Sequence, residues 1–300
     1  MSQRLRRRTC RGVGILTLSN PAISVTVAPE LGGRIVSLSD RVSGREWLDG
    51  WSPASRRRLW HPSDPSDFAT GPGAGIDECL PTVLPCAVGR RKLPDHGELW
   101  NRRPELRADA HGISSCWSLE CLPLDFERRL TLKGNRMVLD YRLTNRDRRP
   151  TPFLWAWHPL FSWKPGDRIR FPRTVDTCLH PGGTERVPWP HPAPGVDLSR
   201  AGFPEGATPA AKVFAGPLDR GHAEIHSRTG ESLALDWPAD LFPYAGVWIT
   251  RGFWKGLHHW AIEPTNAPVD RLSDIHAPGH PSLLAPGETR SWKLSVTLRP

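Results

Sequence analysis

The sequence predicts an all-β protein built as a large antiparallel sandwich, and three features support this fold class. The 300 residues contain 32 prolines and 27 glycines, which fall between short segments and argue against long helices. Polar and apolar residues alternate within these segments, as is typical of strands with one buried face. Loops rather than helical crossovers join the segments, which favours antiparallel pairing.

The first half of the chain contains the clearest strands. ISVTVA at Ile23–Ala28 and RIVSLS at Arg34–Ser39 alternate with the period of a half-buried strand. Ser115–Cys121 is the next candidate strand. Residues 125–145, DFERRLTLKGNRMVLDYRLTN, form two alternating runs that meet at Lys133-Gly134-Asn135, where glycine tolerates a positive φ, so a hairpin is predicted there.

The second half continues the pattern and adds two irregular segments. Further strands are predicted at Phe153–His158, Ala223–Ser227, Ser232–Leu235, Gly246–Thr250, Leu257–Glu263 and Arg290–Leu298. Residues 51–75 and 181–209 are rich in proline, glycine and serine and are predicted to be long loops on the same sandwich, where function is often found. We expect one domain over residues 1–300, with a loose basic tail at residues 1–12.

Composition excludes several classes of protein. The apolar runs are a few residues long, far below the ~20 needed to cross a bilayer, so we expect no membrane partner. Much of the net charge of +9 lies in local arginine runs, and the sequence has no zinc-finger, recognition-helix or RNA-binding strand pattern, so we expect no nucleic-acid partner. The six cysteines include no CxxC pair, and no apolar signal segment follows the basic N-terminus, which predicts reduced thiols and a cytoplasmic protein.

The segment FLWAWHP, residues 153–159, is the first candidate for chemistry. Strand alternation places Phe153, Trp155 and Trp157 on one face and His158 on the other. Pro159 removes a ladder donor and keeps His158 extended, which predicts a histidine at the end of a strand. A core histidine bonded to a loop carbonyl is the alternative.

The segment LHHWAIEP, residues 257–264, has a similar design. His259 and Glu263 share one face of the predicted strand, and Pro264 follows the glutamate. An ionised carboxylate is costly to bury without a partner, so Glu263 is expected to be paired, exposed to solvent or functional.

A third candidate segment, residues 75–100, contains Asp77, Glu78, Asp95, His96 and Glu98 in a frame rich in glycine and proline. We interpret it as a loop, in which Gly97 allows a close backbone approach beside His96. A metal site from His96, His158, His259 and Glu263 is conceivable. However, the spacing contains no HxH or HExxH cluster, so the sequence predicts no metal centre.

These segments resemble a known family. VAPELGGRIVSLSDRVSGREWL, DHGELW, WHPLFSW followed by GDRIRFP, AIEP, and LLAPGETRSWKLSVTL occur in the order found in aldose 1-epimerases, the galactose-mutarotase-like proteins. The resemblance extends from Ile23 to Leu298. It implies an antiparallel β-supersandwich with a sugar-binding groove, and an isomerase that requires no cofactor or metal.

The resemblance also implies roles for individual residues. Glu263 matches the base that takes the proton of the anomeric hydroxyl, His158 the acid that protonates the ring oxygen, and His96 a second histidine that orients sugar hydroxyls. A histidine with a carboxylate nearby is expected to be protonated near neutral pH. His259 shares the face of Glu263, and the aromatic faces of Trp100 and Trp248 are candidates for packing against sugar C–H groups.

One departure from the family bears on the substrate. Galactose mutarotases carry an Asn-Arg pair upstream of the first histidine, whereas this chain has Gly75-Ile76-Asp77-Glu78-Cys79, which leaves the identity of the sugar open. The carboxylates of Asp77 and Glu78 would repel a phosphate, so we expect an unphosphorylated sugar bound partly through these two residues. A non-catalytic sugar-binding or regulatory protein, or another carbohydrate-active enzyme, remains an alternative, and the oligomeric state stays open.

Overall fold

Strands make up nearly all of the regular secondary structure in the described part of the chain. The computed structural model describes residues 3–10, 12–49, 51, 59–182, 185–200, 210–275 and 282–300. Two short 3₁₀ helices occupy Phe68–Thr70 and Leu272–Asp274. The strands are β1 Arg4–Cys10, β2 Val13–Ser19, β3 Ile23–Ala28, β4 Arg34–Asp40, β5 Gly75–Cys79, β6 Cys86–Val88, β7 Arg91–Leu93, β8 Glu105–Asp109, β9 Gly112–Ser118, β10 Leu124–Lys133, β11 Arg136–Asn145, β12 Thr151–Pro152, β13 Ala156–Ser162, β14 Arg168–Arg170, β15 Thr177–Leu179, β16 Arg186–Pro188, β17 Ala210–Ala215, β18 Gly221–His226, β19 Ser232–Trp237, β20 Tyr244–Arg251, β21 His258–Thr265, β22 Leu283–Leu284 and β23 Thr289–Arg299.

Two large sheets form the body of the protein. One sheet has eleven strands in the order β1-β2-β3-β4-β5-β13-β21-β20-β17-β15-β16, and the other has eight in the order β14-β18-β19-β23-β11-β10-β9-β8. Their strand pairs are antiparallel, which confirms the predicted all-β antiparallel fold class. The pairs β12–β22 and β6–β7 form two small sheets beside them.

Aromatic side chains fill part of the space between the large sheets. Trp155, just before β13, contacts Tyr141 on β11 and Trp292 on β23 at ring distances of 5.5 and 5.2 Å. Glu78 of β5 accepts hydrogen bonds from Tyr141 and Trp155. Because Trp157 pairs with Glu78, Trp157 points to the same buried side of the sheet. The other face of the eleven-stranded sheet is therefore the one available for a ligand.

Several local predictions agree with the structure, and two need correction. The hairpin of β10 and β11 pairs Lys133 with Arg136 around Gly134, at φ +60°. The basic tail, expected to be loose, instead forms the edge strand β1, which pairs with β2 over its whole length. Residues 75–79, expected to be loop, form the buried strand β5. Residues 1–2, 11, 52–58, 183–184 and 201–209 of the predicted tail and loops lie outside the described residues.

The two prolines that follow His158 and Glu263 do not end their strands. Pro159 lies inside β13 and Pro264 inside β21. These strands pair at Ala156 with Thr265 and again at Phe161 with Trp260, and both prolines lie in the interval between these pairs, where no ladder N–H is needed. The predicted strand ends are therefore wrong. Among the described residues, no helix is long and apolar enough to cross a membrane.

Candidate active site

The antiparallel register brings His158 and Glu263 directly opposite each other. Ala156 pairs with Thr265 and Ser162 with His259, so the same register sets His158 of β13 across from Glu263 of β21. Directly opposite residues point to the same face of a sheet. His158 Nε2 lies 3.9 Å from Glu263 Oε1, and both side chains are almost fully buried. Two residues that are 105 positions apart in the chain thus lie side by side on one face of the sheet.

Glu263 has a partner on its other oxygen. Lys212 Nζ of β17 lies 3.0 Å from Glu263 Oε2 and 2.7 Å from Asp270 Oδ1. On the strand between them, Gly246 pairs with Glu263, and a Cβ at this glycine would lie only 3.0 Å from Oε2. The glycine therefore leaves the space that the carboxylate occupies, and the lysine holds the carboxylate in a fixed orientation.

Lys212 and Asp270 are site residues that the sequence-based reasoning missed. The signal for Lys212 is a single charged residue inside the apolar segment AAKVFA, since a charge in a buried strand requires a partner. Asp270 follows the strand of Glu263 by only five residues beyond Thr265, but its position in a loop leaves no period that would identify it.

His96 reaches the same place from a loop. Its Nδ1 lies 2.9 Å from Asp95 Oδ1, and its ring stacks on Phe68 at 3.8 Å and lies 5.1 Å from the ring of His158. The backbone of His96 has φ +55°, an uncommon conformation for a residue with a side chain. Gly97 follows at φ +69°, where a Cβ would be 2.0 Å from the carbonyl oxygen of Leu80. The predicted close approach at Gly97 is thus present.

A cavity of about 190 Å³ opens over this group of side chains. Trp248 and His259 belong to its wall, with ring centroids 4.8 Å apart. Phe68 and Trp254 contribute a further aromatic side, with near-parallel rings at 6.3 Å. The cavity thus combines aromatic faces with ionisable groups at its base, and its lining comprises Phe68, Val83, Leu84, His96, His158, Leu160, Lys212, Trp248, Trp254, His259, Glu263 and Asp270.

Three predicted site residues lie outside this lining. Glu78 faces the core between the sheets, where it bonds Tyr141 and Trp155, so its assignment to sugar binding is wrong. Asp77 points to the cavity side but is buried, with Oδ1 2.9 Å from Arg34 Nε. Trp100 is buried too, and its indole N–H donates to the carbonyl of Asp95. Adjacent strand residues point to opposite faces, so Asp77 and Glu78 could not serve one cavity together.

Burial shifts the pKa values of Glu263 and His158 in opposite directions. Burial raises the pKa of Glu263, and Lys212 opposes this shift. Burial also holds the pKa of His158 well below its usual range, and electrostatic interaction with His96, Lys212 and His259 lowers it further. The imidazolium form that a nearby carboxylate is expected to favour is therefore disfavoured at His158. Desolvation and cations outweigh the single nearby carboxylate.

Comparison with known proteins identifies the fold. Neither a family model nor a curated protein sequence matches the chain. Among solved structures, a galactose mutarotase-like protein from Clostridium acetobutylicum superposes with a TM-score of 0.69 at 12% identity, over 99% of this chain and 99% of that one. The chain has the galactose mutarotase-like fold. A Klebsiella pneumoniae protein provisionally named aldose 1-epimerase matches with a TM-score of 0.73 at 16% identity, over 98% of this chain and 83% of that one.

A third protein with the galactose mutarotase-like fold covers nearly the same length. The galactose mutarotase-like protein of Lactobacillus casei matches at a TM-score of 0.66 and 17% identity, over 95% of this chain and 100% of that one. At these identities the likeness establishes architecture, and architecture alone does not determine chemistry. The arguments for an activity therefore depend on the side chains in this chain's cavity.

Proposed function

We propose that this protein is a cofactor-independent isomerase that interconverts the α and β anomers of an unphosphorylated aldose. The observation that supports this most directly is the opposed pair of His158 and Glu263, 3.9 Å apart at the base of a cavity with aromatic walls. Ring opening requires one group to remove a proton from the anomeric hydroxyl and a second to supply one to the ring oxygen.

In the proposed reaction, every proton moves between the sugar and either Glu263 or His158. The Glu263 carboxylate takes the proton of the anomeric hydroxyl while the His158 imidazolium gives its proton to the ring oxygen, so the C1–O5 bond breaks and an aldehyde forms. After rotation about C1–C2, neutral His158 takes the proton back from the O5 hydroxyl and Glu263 returns its proton to the aldehyde oxygen. The ring closes as the other anomer, and the protein is unchanged.

The cycle therefore needs one proton on the pair, which alternates between the two residues. The raised pKa of Glu263 and the lowered pKa of His158 draw this proton toward the glutamate. Ring closure of an open-chain sugar uses this arrangement, with the proton on Glu263 and with His158 neutral. Ring opening uses the other arrangement, with the proton on His158 and the carboxylate held by Lys212.

The remaining groups support binding of a neutral sugar. His96, oriented by Asp95, and the pair of Lys212 and Asp270 offer hydrogen-bond partners around the cavity. Lys212 is already bonded to two carboxylates, so its charge is compensated, and the carboxylates of Glu263 and Asp270 would repel a phosphate.

Polarimetry on freshly dissolved α-glucose and α-galactose tests the proposal. The wild-type protein should accelerate the decay of optical rotation, and Glu263→Gln should lose about 10²- to 10⁴-fold of that acceleration, the usual share of one acid or base group. Glu120→Gln is the matched control, because the side chain of Glu120 is 78% exposed. An unchanged rate in Glu263→Gln contradicts the assignment. Calorimetric sugar binding without any acceleration across a panel of aldoses supports a non-catalytic sugar-binding protein instead.

A further inference from the structure

Cys79 lies beside the two cavity histidines, although it is not needed for the proposed proton transfers. On β5 it follows Asp77 by two residues and so shares its face, and its partner Ala156 lies two residues before His158. One ligand atom from each of Cys79, His96 and His158 lies within 4.8 Å of the other two. A thiol and two imidazoles are the ligand types that soft divalent cations prefer.

Each histidine has one ring nitrogen directed at a carboxylate and the other available. His96 Nδ1 faces Asp95 Oδ1 at 2.9 Å, which leaves Nε2. His158 Nε2 faces Glu263 Oε1 at 3.9 Å, and its buried Nδ1 has no hydrogen-bond partner among the described residues. Histidines that ligate metals almost always present one nitrogen to the metal and the other to a carboxylate, a carbonyl or water.

We propose that Cys79, His96 and His158 bind Zn²⁺ or a similar soft divalent cation through the thiolate, Nε2 and Nδ1, with water as the fourth ligand. Bond lengths of ~2.3 Å to sulfur and ~2.0 Å to nitrogen at tetrahedral angles place the ligand atoms roughly 3.5 Å apart. One ligand atom from each of the three residues now lies within 4.8 Å of the others, so the largest separation has to shorten by about 1 Å when a cation binds.

Two carboxylates lie close to the proposed ligands. Glu263 Oε1 is 3.9 Å from His158 Nε2, and Asp77 shares the face of β5 with Cys79. Both would attract a bound cation, although each is also paired with a basic side chain, Lys212 or Arg34. When the zinc–sulfur bond forms, the thiol proton leaves to solvent, while both imidazoles bind as neutral ligands.

The consequence for activity depends on the proposed function. A metal on Nδ1 of His158 leaves the ring neutral with its one proton on Nε2, where it is a much weaker acid than the imidazolium that ring opening needs. We therefore expect Zn²⁺ to inhibit mutarotation reversibly and a chelator to restore it. The binding itself does not depend on turnover and is measured separately.

Cobalt(II) absorption and zinc calorimetry test the site on the purified, metal-free protein. Co²⁺ should give the near-ultraviolet charge-transfer band of a thiolate ligand, and this band should be absent in Cys79→Ser. Zn²⁺ should bind Cys79→Ser and His96→Gln at least about tenfold more weakly than the wild type. Cys178→Ser is the matched control, because Cys178 is equally buried but lies on β15, away from the cavity.

Either of two results overturns the proposal. One is a wild-type cobalt complex without the thiolate band. The other is zinc affinity that is unchanged in both Cys79→Ser and His96→Gln, as expected if the cation binds the surface group of His222, Glu224 and His226 on β18. If the cobalt band is present but no aldose is isomerised, the proposed function fails and the metal site stands.

Discussion

Replacing Lys212 with methionine tests whether the buried cation holds the glutamate of the acid–base pair. The substitution keeps the length of the side chain and removes its charge. At 3.0 Å and an effective dielectric constant of ~20, the attraction between Lys212 and Glu263 is roughly 5 kcal/mol before desolvation is subtracted. Removing one partner of a buried pair typically costs about 3–5 kcal/mol, since the other charge stays buried. We expect about 3 kcal/mol, because the Lys212 side chain is 18% exposed.

Urea unfolding at neutral pH measures this loss of unfolding free energy. The transition midpoint should fall while the dependence of the free energy on urea concentration stays constant. Lys293→Met is the matched control, because the pair of Lys293 and Asp140 lies on the surface with side chains 59% and 45% exposed. A surface pair is worth at most about 1 kcal/mol. Adding Glu263→Gln to Lys212→Met should recover part of the loss, since the uncompensated carboxylate is removed. Equal losses in Lys212→Met and Lys293→Met would refute the reasoning.

Lys212→Met should also change the pH dependence of mutarotation. Because Lys212 opposes the upward shift caused by burial, its removal raises the pKa of Glu263 further. The glutamate then keeps its proton to higher pH, and the acid limb of the rate profile moves upward. Polarimetry across pH measures this limb, and an unshifted limb would show that the lysine does not act on Glu263.

Three further predictions concern Gly246, Gly97 and Glu78. Gly246→Ala should lower the mutarotation rate about tenfold with little loss of stability, because the new methyl group lies 3.0 Å from an oxygen of Glu263. Gly97→Ala should lower the free energy of unfolding by more than 2 kcal/mol, because its Cβ meets a backbone carbonyl at 2.0 Å, whereas Gly89→Ala, with φ +57° and open space, should cost about 1 kcal/mol. Burial raises the pKa of Glu78 from 4.5 to about 7, so the folded state keeps a proton that the unfolded state releases, and this residue should lower stability by about 3 kcal/mol as the pH rises from 4.5 to 7.

Each of these predictions has its own contradicting result. A wild-type mutarotation rate in Gly246→Ala would mean that Glu263 has more room than the structure gives it. Gly14→Ala is the control, because its methyl group meets the carboxylate of Glu30 at 3.1 Å. Equal unfolding midpoints for Gly97→Ala and Gly89→Ala would remove the steric argument. If Glu78→Gln leaves the pH dependence of unfolding unchanged, the glutamate does not carry the proton.

The periodic parts of this fold were predictable from sequence, because a half-buried strand leaves a two-residue pattern. The hairpin of β10 and β11 and the opposite faces of Trp157 and His158 follow from that pattern alone. Strand β5 is buried along its whole length, so GIDEC has no alternation, and its two acids fit a loop as well as a strand. The sequence therefore suggests Glu78 as a sugar-binding candidate, whereas pairing with β13 places it in the core.

The local sequence pattern does not predict which side chains come together at the site. Which strands become neighbours depends on the order of the sheet, and this order places β5, β13, β21, β20 and β17 side by side although they span residues 75–265. That order brings Lys212 to the cavity and Cys79 beside His158, and nothing near either residue in sequence indicates its partner. The direction of the His158 pKa shift likewise depends on burial and on cations from distant strands.

The central claim is that His158 and Glu263 act as one unit on a single sugar. A double-mutant cycle with Glu263→Gln and His158→Asn, followed by polarimetry on the same α-aldose, tests it most directly. When two residues act as a unit, the rate losses from their substitutions do not add in free energy. The rate of the double variant should therefore lie within a few-fold of the rate of the slower single variant. Rate losses that multiply in the double variant, or a single variant that retains the wild-type rate, would contradict the account.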